Sequence, residues 1–381
     1  MADLRVENLS KSFKGDITAL GGVSFAVSDG EAVFLLGPSG AGKTTTLRLV
    51  AGLDRPCGGS IRIAGQDVTD WSPRERNLAM VYDKHSLFPH LSVFENMAYA
   101  LRNRRMTEGE IGTRVRKIAE TLQVEQLLDR YPSQLSGGQM QRVAIGRALV
   151  REANIYLLDE PISHLDARLR ARMRVEFKRL QRDLRATMLY VSHDQLEAMT
   201  MADRIVLINR GNVEQIAEPQ MLFDCPETLY AATFVGEPAM NIATVRLSEE
   251  RGAFRLGVGH SHIPLDREWV MSGGVPISPN ADYLAGIRPQ HMSLATVDDA
   301  GEGVVHGKVF AVETLGSRMV FDIEIDEAVA RVLAPVDTGR RFPNEIGAPI
   351  AFRINPDFIY LFEAHGGRTV RQARFTRRFV H

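Results

Sequence analysis

An apolar run, a glycine-rich loop and a helix-forming segment follow one another near the N-terminus, and this succession constrains the fold more than any other part of the chain. The apolar run is residues 32–36, and the loop reads Gly37-Pro38-Ser39-Gly40-Ala41-Gly42-Lys43-Thr44-Thr45. Glycines let a backbone turn tightly and point successive N–H groups at one spot, where a helix N-terminus adds partial positive charge. The pattern predicts an α/β domain with a loop that binds a triphosphate.

Two side chains at the end of this loop extend the prediction. We expect Lys43 to reach the β- and γ-phosphates and the hydroxyl of Thr44 to bind Mg²⁺. A glycine-rich turn without a ligand is the alternative. The complete GxxxxGK[ST] pattern, placed between a strand and a helix, disfavours that alternative.

The composition excludes several classes of protein. The chain has 381 residues, 44% hydrophobic and 24% charged, which is typical of a globular protein with room for two domains. Its formal net charge of -1 argues against a dedicated nucleic-acid binder. Two cysteines are too few for a disulfide framework and favour a reducing, cytoplasmic location. Because no apolar run approaches roughly 20 residues, any membrane crossing is expected from another chain.

Residues from about 90 to 150 are predicted to form a helical insertion in the α/β domain. Ser92 with Glu95 and Thr107 with Glu110 have the spacing of capping boxes. The insertion ends in Leu135-Ser136-Gly137-Gly138-Gln139, before a helix predicted over residues 140–150. Its serine and glutamine can form another capping box, or, with the two glycines, a second anion site at a helix N-terminus. The sequence leaves both interpretations open.

Two later strands end in side chains suited to phosphate chemistry. Asp159 and Glu160 end an apolar strand, and His193 follows the strand predicted over residues 188–191. In a parallel sheet, the carboxyl ends of the strands lie on the ligand side. We predict that Asp159 holds Mg²⁺, partly through water, and that Glu160 polarises the attacking water. A core strand with a solvated acidic end and a structural histidine are the alternatives.

Aromatic and basic side chains elsewhere are less informative. Strand-like segments are predicted over residues 4–9 and 19–27, and Phe13 lies in the turn-rich gap between them. Phe13 can stack on a purine ring, although a half-buried phenylalanine is the commoner explanation. The arginines between residues 166 and 185 are interpreted as a solvated helix face.

Together these elements resemble the ATPase subunit of an ABC transporter. The resemblance rests on the Walker A loop at 37–45, the ABC signature at 135–139, Walker B at 155–160 and the D-loop at 163–166. His193 takes the switch-histidine position, and Phe13 the adenine-stacking position. Residues 87–96 and 236–241 also look like the carbohydrate-importer branch, in which the maltose and glycerol-3-phosphate importer ATPases are the nearest types.

The resemblance implies a phosphate-loop (RecA-like) ATPase with ATP and Mg²⁺ as cofactors. Each ATP would lie between the Walker motifs of one subunit and the signature, Ser136, Gly137, Gly138 and Gln139, of a facing subunit. Two permease subunits and an extracytoplasmic solute-binding protein are the implied partners, at the cytoplasmic face of the inner membrane, with no nucleic acid. Whether the ATPase pair is a homodimer or a heterodimer stays open.

Uptake of a carbohydrate or polyol-type solute is the implied function. Iron, sulfate or polyamine import is the alternative within transport. A soluble ABC ATPase acting on DNA or the ribosome is disfavoured, because the chain has neither a long coiled-coil insertion nor a second cassette.

The C-terminal third is predicted to be a small β-barrel. From about residue 243 the chain breaks into short strand-like pieces separated by glycine and proline. Residues 286–291 resemble a motif of the OB-like regulatory domain of these importer ATPases. We expect an ATPase domain over 1–235 with a helical subdomain at about 88–150, an OB-like domain over 236–365, and a basic tail over 366–381 that is a candidate for disorder.

Asp83 departs from the family pattern. It stands where these ATPases carry a glutamine that contacts Mg²⁺ and the attacking water. A carboxylate is a good Mg²⁺ ligand, yet it is charged and one methylene shorter. Three hypotheses follow: a tolerant site, weakened coupling, or a hydrolysis-impaired subunit paired with a different ATPase. Because Glu160 and His193 are present, we favour retained hydrolysis, with Asp83 in a catalytic and metal-binding role.

Overall fold

The computed structural model describes residues 2–15, 17–82, 87–151, 153–258, 260–272, 277–299, 301–326 and 328–374. The chain divides into two compact units, residues 1–219 and residues 220–381. No helix of the described residues is long and apolar enough to cross a membrane.

The first unit alternates strands and helices. Its strands are β1 (Leu4–Phe13), β2 (Ile17–Val27), β3 (Ala32–Leu36), β4 (Gly58–Ile63), β5 (Gln66–Asp67), β6 (Leu78–Val81), β7 (Ile155–Asp159), β8 (Met188–Ser192), β9 (Arg204–Asn209) and β10 (Asn212–Ala217). Its helices are α1 (Lys43–Ala51), α2 (Val93–Arg102), α3 (Glu108–Thr121), α4 (Gly137–Leu149), α5 (Ala167–Leu184) and α6 (Gln195–Met201). Helix α7 (Pro219–Asp224) follows at the division between the units.

The central sheet of this unit has the order β10-β9-β3-β8-β7-β6. All of its neighbouring pairs are parallel except β10 with β9. Every residue of β3, β7 and β8 is buried, as expected for parallel strands covered on both faces. The loops after these three strands therefore emerge at one edge of the sheet.

A second, antiparallel sheet has the order β2-β1-β4-β5. It shares one apolar core with β3, β7, β8 and α1, in which Leu4, Leu35 and Leu47 are fully buried. The turn-rich gap expected around Phe13 is wrong. β1 continues to Phe13, which pairs with Ile17, because the β1–β2 pairing resumes after each register shift along the ladder.

The helical segment begins its helices where the sequence places caps. Both predicted capping boxes, at Ser92 and at Thr107, are present. Helix α4 begins at Gly137, three residues earlier than predicted, because Ser136 is its N-cap. The two glycines of the segment 135–139 therefore lie inside the first helical turn.

The second unit consists mainly of strands. They are β11 (Asn241–Glu250), β12 (Ala253–Val258), β13 (Ser261–Leu265), β14 (Asp282–Ile287), β15 (Met292–Ala295), β16 (Val304–Leu315), β17 (Arg318–Ile325), β18 (Ala328–Pro335), β19 (Pro349–Ile354), β20 (Tyr360–Glu363) and β21 (Thr369–Arg371). Its short helices are α8 (Leu229–Phe234), α9 (Arg267–Met271) and α10 (Val336–Gly339). Two antiparallel sheets, β13-β12-β11-β14-β20-β21 and β15-β19-β16-β17-β18, enclose a common apolar core.

Arg288 directly follows β14 and binds residues 220–235, the segment at the start of this unit. The side chain is 1% exposed, and its guanidinium donates to the carbonyls of Val235 and Phe223, at 2.6 Å each. The guanidinium carbon also lies 3.7 Å from the centre of the Phe223 ring. Segment 220–235, assigned to the first domain from the sequence, thus packs with the β-rich unit.

Part of the expected basic tail is ordered structure. β21 pairs with β20, and Arg371 donates from Nη2 to the carbonyl of Val270 at 2.7 Å. Residues 375–381 lie outside the described part of the chain.

Candidate nucleotide-binding site

The glycine loop connects β3 to α1 and is shaped by close contacts. Gly40 has a φ of +79°, in the left-handed region that favours glycine. A Cβ added at Gly42 would lie 2.7 Å from the backbone oxygen of Ala19, so a larger residue does not fit there. Gly42 caps α1 without a side-chain hydrogen bond. The N-terminal N–H groups of α1 are thus left for another acceptor.

Lys43 lies inside the loop. It is 5% exposed, and its Nζ donates to the carbonyl oxygens of Gly37 and Pro38, at 2.8 Å each. Burial lowers the pKa of Lys43, and the nearby charges of Glu160 and Asp159 oppose that shift. The ammonium group is therefore held by carbonyl dipoles next to two carboxylates.

Thr44 and Asp159 meet between α1 and the end of β7. The Thr44 hydroxyl donates to Oδ1 of Asp159 at 3.2 Å. Hydroxyl and carboxylate oxygens are ligands that Mg²⁺ accepts, usually with waters and substrate phosphates completing its shell. No cluster of three or more His, Cys, Asp or Glu side chains suited to a metal occurs among the described residues. The hydroxyl of Thr44 and the carboxylate of Asp159 are therefore placed side by side, where both could bind one Mg²⁺.

Glu160 and His193 also meet, from neighbouring strands. His193 Nδ1 lies 2.9 Å from Oε2 of Glu160, and the histidine side chain is 54% exposed. Glu160 has a φ of +45°, which non-glycine residues rarely adopt. Such backbone conformations persist where the surroundings impose them. A carboxylate oriented by a histidine at this edge of the sheet is suited to activating water.

The segment 135–139 is placed at the start of α4. The N–H of Gln139 donates to the Ser136 hydroxyl at 3.4 Å, and the N–H of Ser136 donates to the Gln139 amide at 2.9 Å. The capping box is thus present. A Cβ at Gly138 would lie 2.7 Å from Cδ2 of Leu169, whereas one at Gly137 would meet nothing within 4 Å. Gly137 is exposed and open to approach, whereas Gly138 faces the end of the Leu169 side chain.

The remaining predicted site residues are arranged as follows. Ser39 is exposed, Pro38 and Thr45 are half-buried, and Ala41 is buried. Phe13 ends β1, is 47% exposed, and has the Lys11 ammonium 5.3 Å from its ring centre. Asp83 lies outside the described residues.

A buried polar network behind His193 was missed from the sequence. Glu197 is 2% exposed and accepts hydrogen bonds from the Ser192 hydroxyl at 2.8 Å and the Tyr190 hydroxyl at 3.3 Å. Burial raises the pKa of Glu197, and the charge of Asp194 adds to that shift. The spacing of Asp194 and Glu197 is a helix-start signal that marks this segment in the sequence.

The interpretation of the arginines of this helix as a solvated face is wrong for Arg170, and a lysine of the same helix is also partly buried. Arg170 is partly buried and donates to the carbonyls of Ser163 and Leu165, at 3.0 Å each. Lys178 forms an ion pair of 2.6 Å with Asp203. Hydrophobic spacing identifies the buried apolar face of α5. It does not reveal which arginine and lysine side chains pack against the rest of the protein.

Residues 20–163 match the family described as ABC transporter, and residues 285–362 match the TOBE domain. A UgpC sn-glycerol-3-phosphate import ATP-binding protein of Cereibacter sphaeroides is 42% identical over 97% of this chain and 99% of its own length. The chain belongs to the ABC transporter ATP-binding proteins.

Other relatives agree with this assignment. The UgpC 2 protein of Rhizobium johnstonii is 40% identical over 97% of this chain and 99% of its own length. The sulfoquinovosyl glycerol transport ATP-binding protein SmoE of Agrobacterium fabrum is 40% identical over 97% of this chain and all of its own length. The dimeric ABC transporter cassette MJ0796 superposes with a TM-score of 0.53 and 31% identity, over 57% of this chain and 98% of its own.

These comparisons confirm the resemblance and the predicted fold class, an ABC ATPase fold followed by a mainly β TOBE region. The chain is an ATP-binding ABC ATPase of the importer type.

Proposed function

We propose that this ABC ATPase powers uptake of a glycerol-linked or sugar-type solute through separate permease subunits. The observation that carries the proposal is the convergence of Lys43, Asp159, Glu160 and His193 at one sheet edge, in a chain whose relatives are import proteins. Two of those relatives are named for sn-glycerol-3-phosphate import and sulfoquinovosyl glycerol transport. Their names favour this solute class over iron, sulfate or polyamines.

The site residues take distinct roles in this proposal. Lys43 and the N–H groups of the loop 37–45 bind the phosphates, and Phe13 stacks on the adenine. Mg²⁺ neutralises phosphate charge when bound, and Thr44, Asp159 and Asp83 would hold it. Glu160 accepts a proton from the attacking water, and His193 orients the Glu160 carboxylate. The 2.9 Å contact between His193 and Glu160 supports this division of roles.

A second subunit completes the site in this proposal. Ser136, Gly137 and Gly138 of a facing copy contact the γ-phosphate, with Gln139 beside them at the helix N-terminus. The exposure of Ser136 and Gly137 and the open space at Gly137 support this role. The related MJ0796 cassette was likewise solved as a dimer.

Permease contact is proposed for an aromatic cluster of the helical segment. The rings of Phe88 and Tyr99 lie 4.9 Å apart, and the Arg147 guanidinium lies 5.6 Å from the Phe88 ring centre. Tyr99 is 47% exposed. This cluster would receive a cytoplasmic segment of a permease, in a complex with two permease subunits. The ATPase would then sit peripherally at the inner membrane and work with an extracytoplasmic solute-binding protein.

Glu160→Gln tests the proposal with the full-length chain. We expect the wild type to hydrolyse ATP with Mg²⁺, despite Asp83, and the variant to be slower by about 100-fold or more while still binding ATP. Phosphate release measures the rate, and nucleotide titration measures binding. Exposed Glu120 on α3 supplies the matched control, Glu120→Gln, which should behave as wild type.

A wild type that releases no phosphate at any Mg²⁺ concentration would contradict the proposal and favour a hydrolysis-impaired subunit of a mixed pair. The same Glu160→Gln variant, expressed in cells in place of the wild type, should abolish uptake of labelled sn-glycerol-3-phosphate or of a glycerol-linked sugar. Normal uptake of both solutes would refute the solute class.

A further inference from the structure

Arg170 connects two loops that approach the candidate site from different strands. It lies in the first turn of α5, and its side chain is 31% exposed. Nη2 donates to the carbonyl oxygens of Ser163 and Leu165, at 3.0 Å each, and Nη1 lies 3.5 Å from Oδ2 of Asp194. One planar guanidinium thus reaches two segments of the chain, which a lysine ammonium does less well.

The first of these segments, residues 163–165, is hydrogen-bonded to the backbone of Glu160. The Ser163 hydroxyl donates to the Glu160 carbonyl at 2.9 Å, and the Ser163 N–H donates to the same oxygen at 3.3 Å. Asp166 then caps α5 through the N–H of Leu169 at 3.0 Å. Any displacement of Ser163 is therefore transmitted to the backbone that carries the Glu160 carboxylate.

The second segment is the turn that carries His193. Asp194 follows His193 directly, and its Oδ1 caps α6 by accepting from the N–H groups of Leu196 and Glu197, at 2.8 and 3.2 Å. Its Oδ2 remains for Arg170. Oδ1 of Asp194 thus caps the helix within the turn, whereas Oδ2 binds the arginine that connects the two loops.

We propose that Arg170 is a positioning residue that keeps Glu160 and His193 in register by holding residues 163–165 and Asp194 together. The inference rests on the proposed role of Glu160 in ATP hydrolysis. The hydrogen bonds described for Arg170 reach none of residues 37–45, which would bind the phosphates. Loss of Arg170 should therefore lower kcat and leave ATP affinity nearly unchanged.

Lys178 provides a matched control on the same helix. Its Nζ donates to the Met201 carbonyl at 2.9 Å and to Oδ1 of Asp203 at 2.6 Å. Like Arg170, it is a partly buried cation that bridges a carbonyl oxygen and an aspartate, yet its partners lie at the far end of α6. Lys178→Met thus measures the general cost of losing such a bridge from α5.

The experiment compares Arg170→Met, Lys178→Met and wild type as full-length chains. We expect kcat to fall about tenfold or more in Arg170→Met and less than about twofold in Lys178→Met, with similar melting temperatures for the two variants. The dissociation constant for ATP should stay within about threefold of wild type in both. Equal kcat values in the two variants, while the wild type hydrolyses ATP, would overturn the inference and leave the proposed function standing.

Asp194→Asn tests the same link without removing the arginine. Asparagine keeps an oxygen that can cap α6 and loses the charge that pairs with Arg170. We expect its kcat to fall severalfold, and the double variant with Arg170→Met to be no slower than Arg170→Met alone. If Arg170→Met does not fold, an Asp194→Asn variant with wild-type kcat would overturn the inference.

Discussion

At the scale of the residue, backbone contacts help to place the two side chains that are proposed to act in ATP hydrolysis. The N–H of Glu160 donates to the carbonyl of Val191, two residues before His193, at 3.0 Å. That bond connects the residue directly after β7 to β8 and so extends the pairing of these two strands. The separation of Glu160 and His193 is therefore set by the sheet as well as by their own side chains.

His291 is a residue whose environment makes stability depend on pH. Burial lowers the pKa of His291 from 6.5 to about 4, and the charge of Arg288 adds to the shift. Between these pKa values the unfolded chain binds more protons than the folded chain. The contribution of His291 to stability is thus complete above pH 6.5 and is lost as pH falls towards 4.

We predict that His291→Gln flattens this dependence. Urea denaturation at several pH values between 4 and 7 should show a smaller loss of unfolding free energy for the variant than for wild type. Exposed His306 supplies the control, since His306→Gln should keep the wild-type slope. A variant with an unchanged slope would show that another group titrates.

At the scale of the element, α1 is held differently at its two ends. Its N-terminus has no side-chain cap, whereas its C-terminus is bound by Arg76, which is 2% exposed. The Arg76 Nη1 donates to the carbonyls of Leu49 and Val50, at 2.7 and 2.8 Å. A cation at the C-terminus complements the helix dipole, so α1 is anchored at the end opposite the proposed phosphate site.

We predict that Arg76→Met destabilises the first unit by about 3 kcal/mol, because several buried carbonyls lose their donor. Arg76 also donates to the carbonyls of Thr69 and Trp71, at 2.8 and 3.0 Å. The free energy of unfolding in urea measures the change. Exposed Arg74, two residues away, provides the control, and Arg74→Met should stay within about 0.5 kcal/mol of wild type.

At the scale of the whole molecule, each nucleotide site is proposed to need two copies of the chain. The loop 37–45 and the segment 135–139 belong to the same chain, yet the side-chain hydrogen bonds described for Ser136 and Gln139 are the two bonds of their own capping box. An exposed helix start with one open glycine is suited to meet a second molecule.

We predict that Glu160→Gln forms a dimer with Mg²⁺ and ATP, because slow hydrolysis keeps ATP bound between the two facing copies. Adding Gly137→Asp should keep the protein monomeric while ATP still binds, since a carboxylate would repel the γ-phosphate. Light scattering during gel filtration measures the mass. A Glu160→Gln chain that stays monomeric at saturating ATP would instead indicate that a different ATPase subunit is required.

Local pattern was enough to identify the loop 37–45, both capping boxes of the helical segment and the strand ends that carry Asp159 and His193. Each of these follows from neighbouring residues: glycines at a strand end, a serine or threonine three residues before a glutamate, or a buried strand. The short strands of the C-terminal third were likewise indicated by glycine and proline spacing.

Tertiary structure alone decided which polar groups meet. The sequence does not show what Arg170 and Arg288 contact, and their guanidinium groups bind carbonyls 5 and 65 residues away, respectively. Phe13 belongs to β1 because it pairs with a residue of β2, and the residues next to Phe13 in the sequence do not predict that pairing. The glycine loop was therefore predictable from neighbouring residues. Its position relative to Glu160, His193 and Arg170 depends on contacts between residues that are far apart in the sequence, and local patterns do not reveal these contacts.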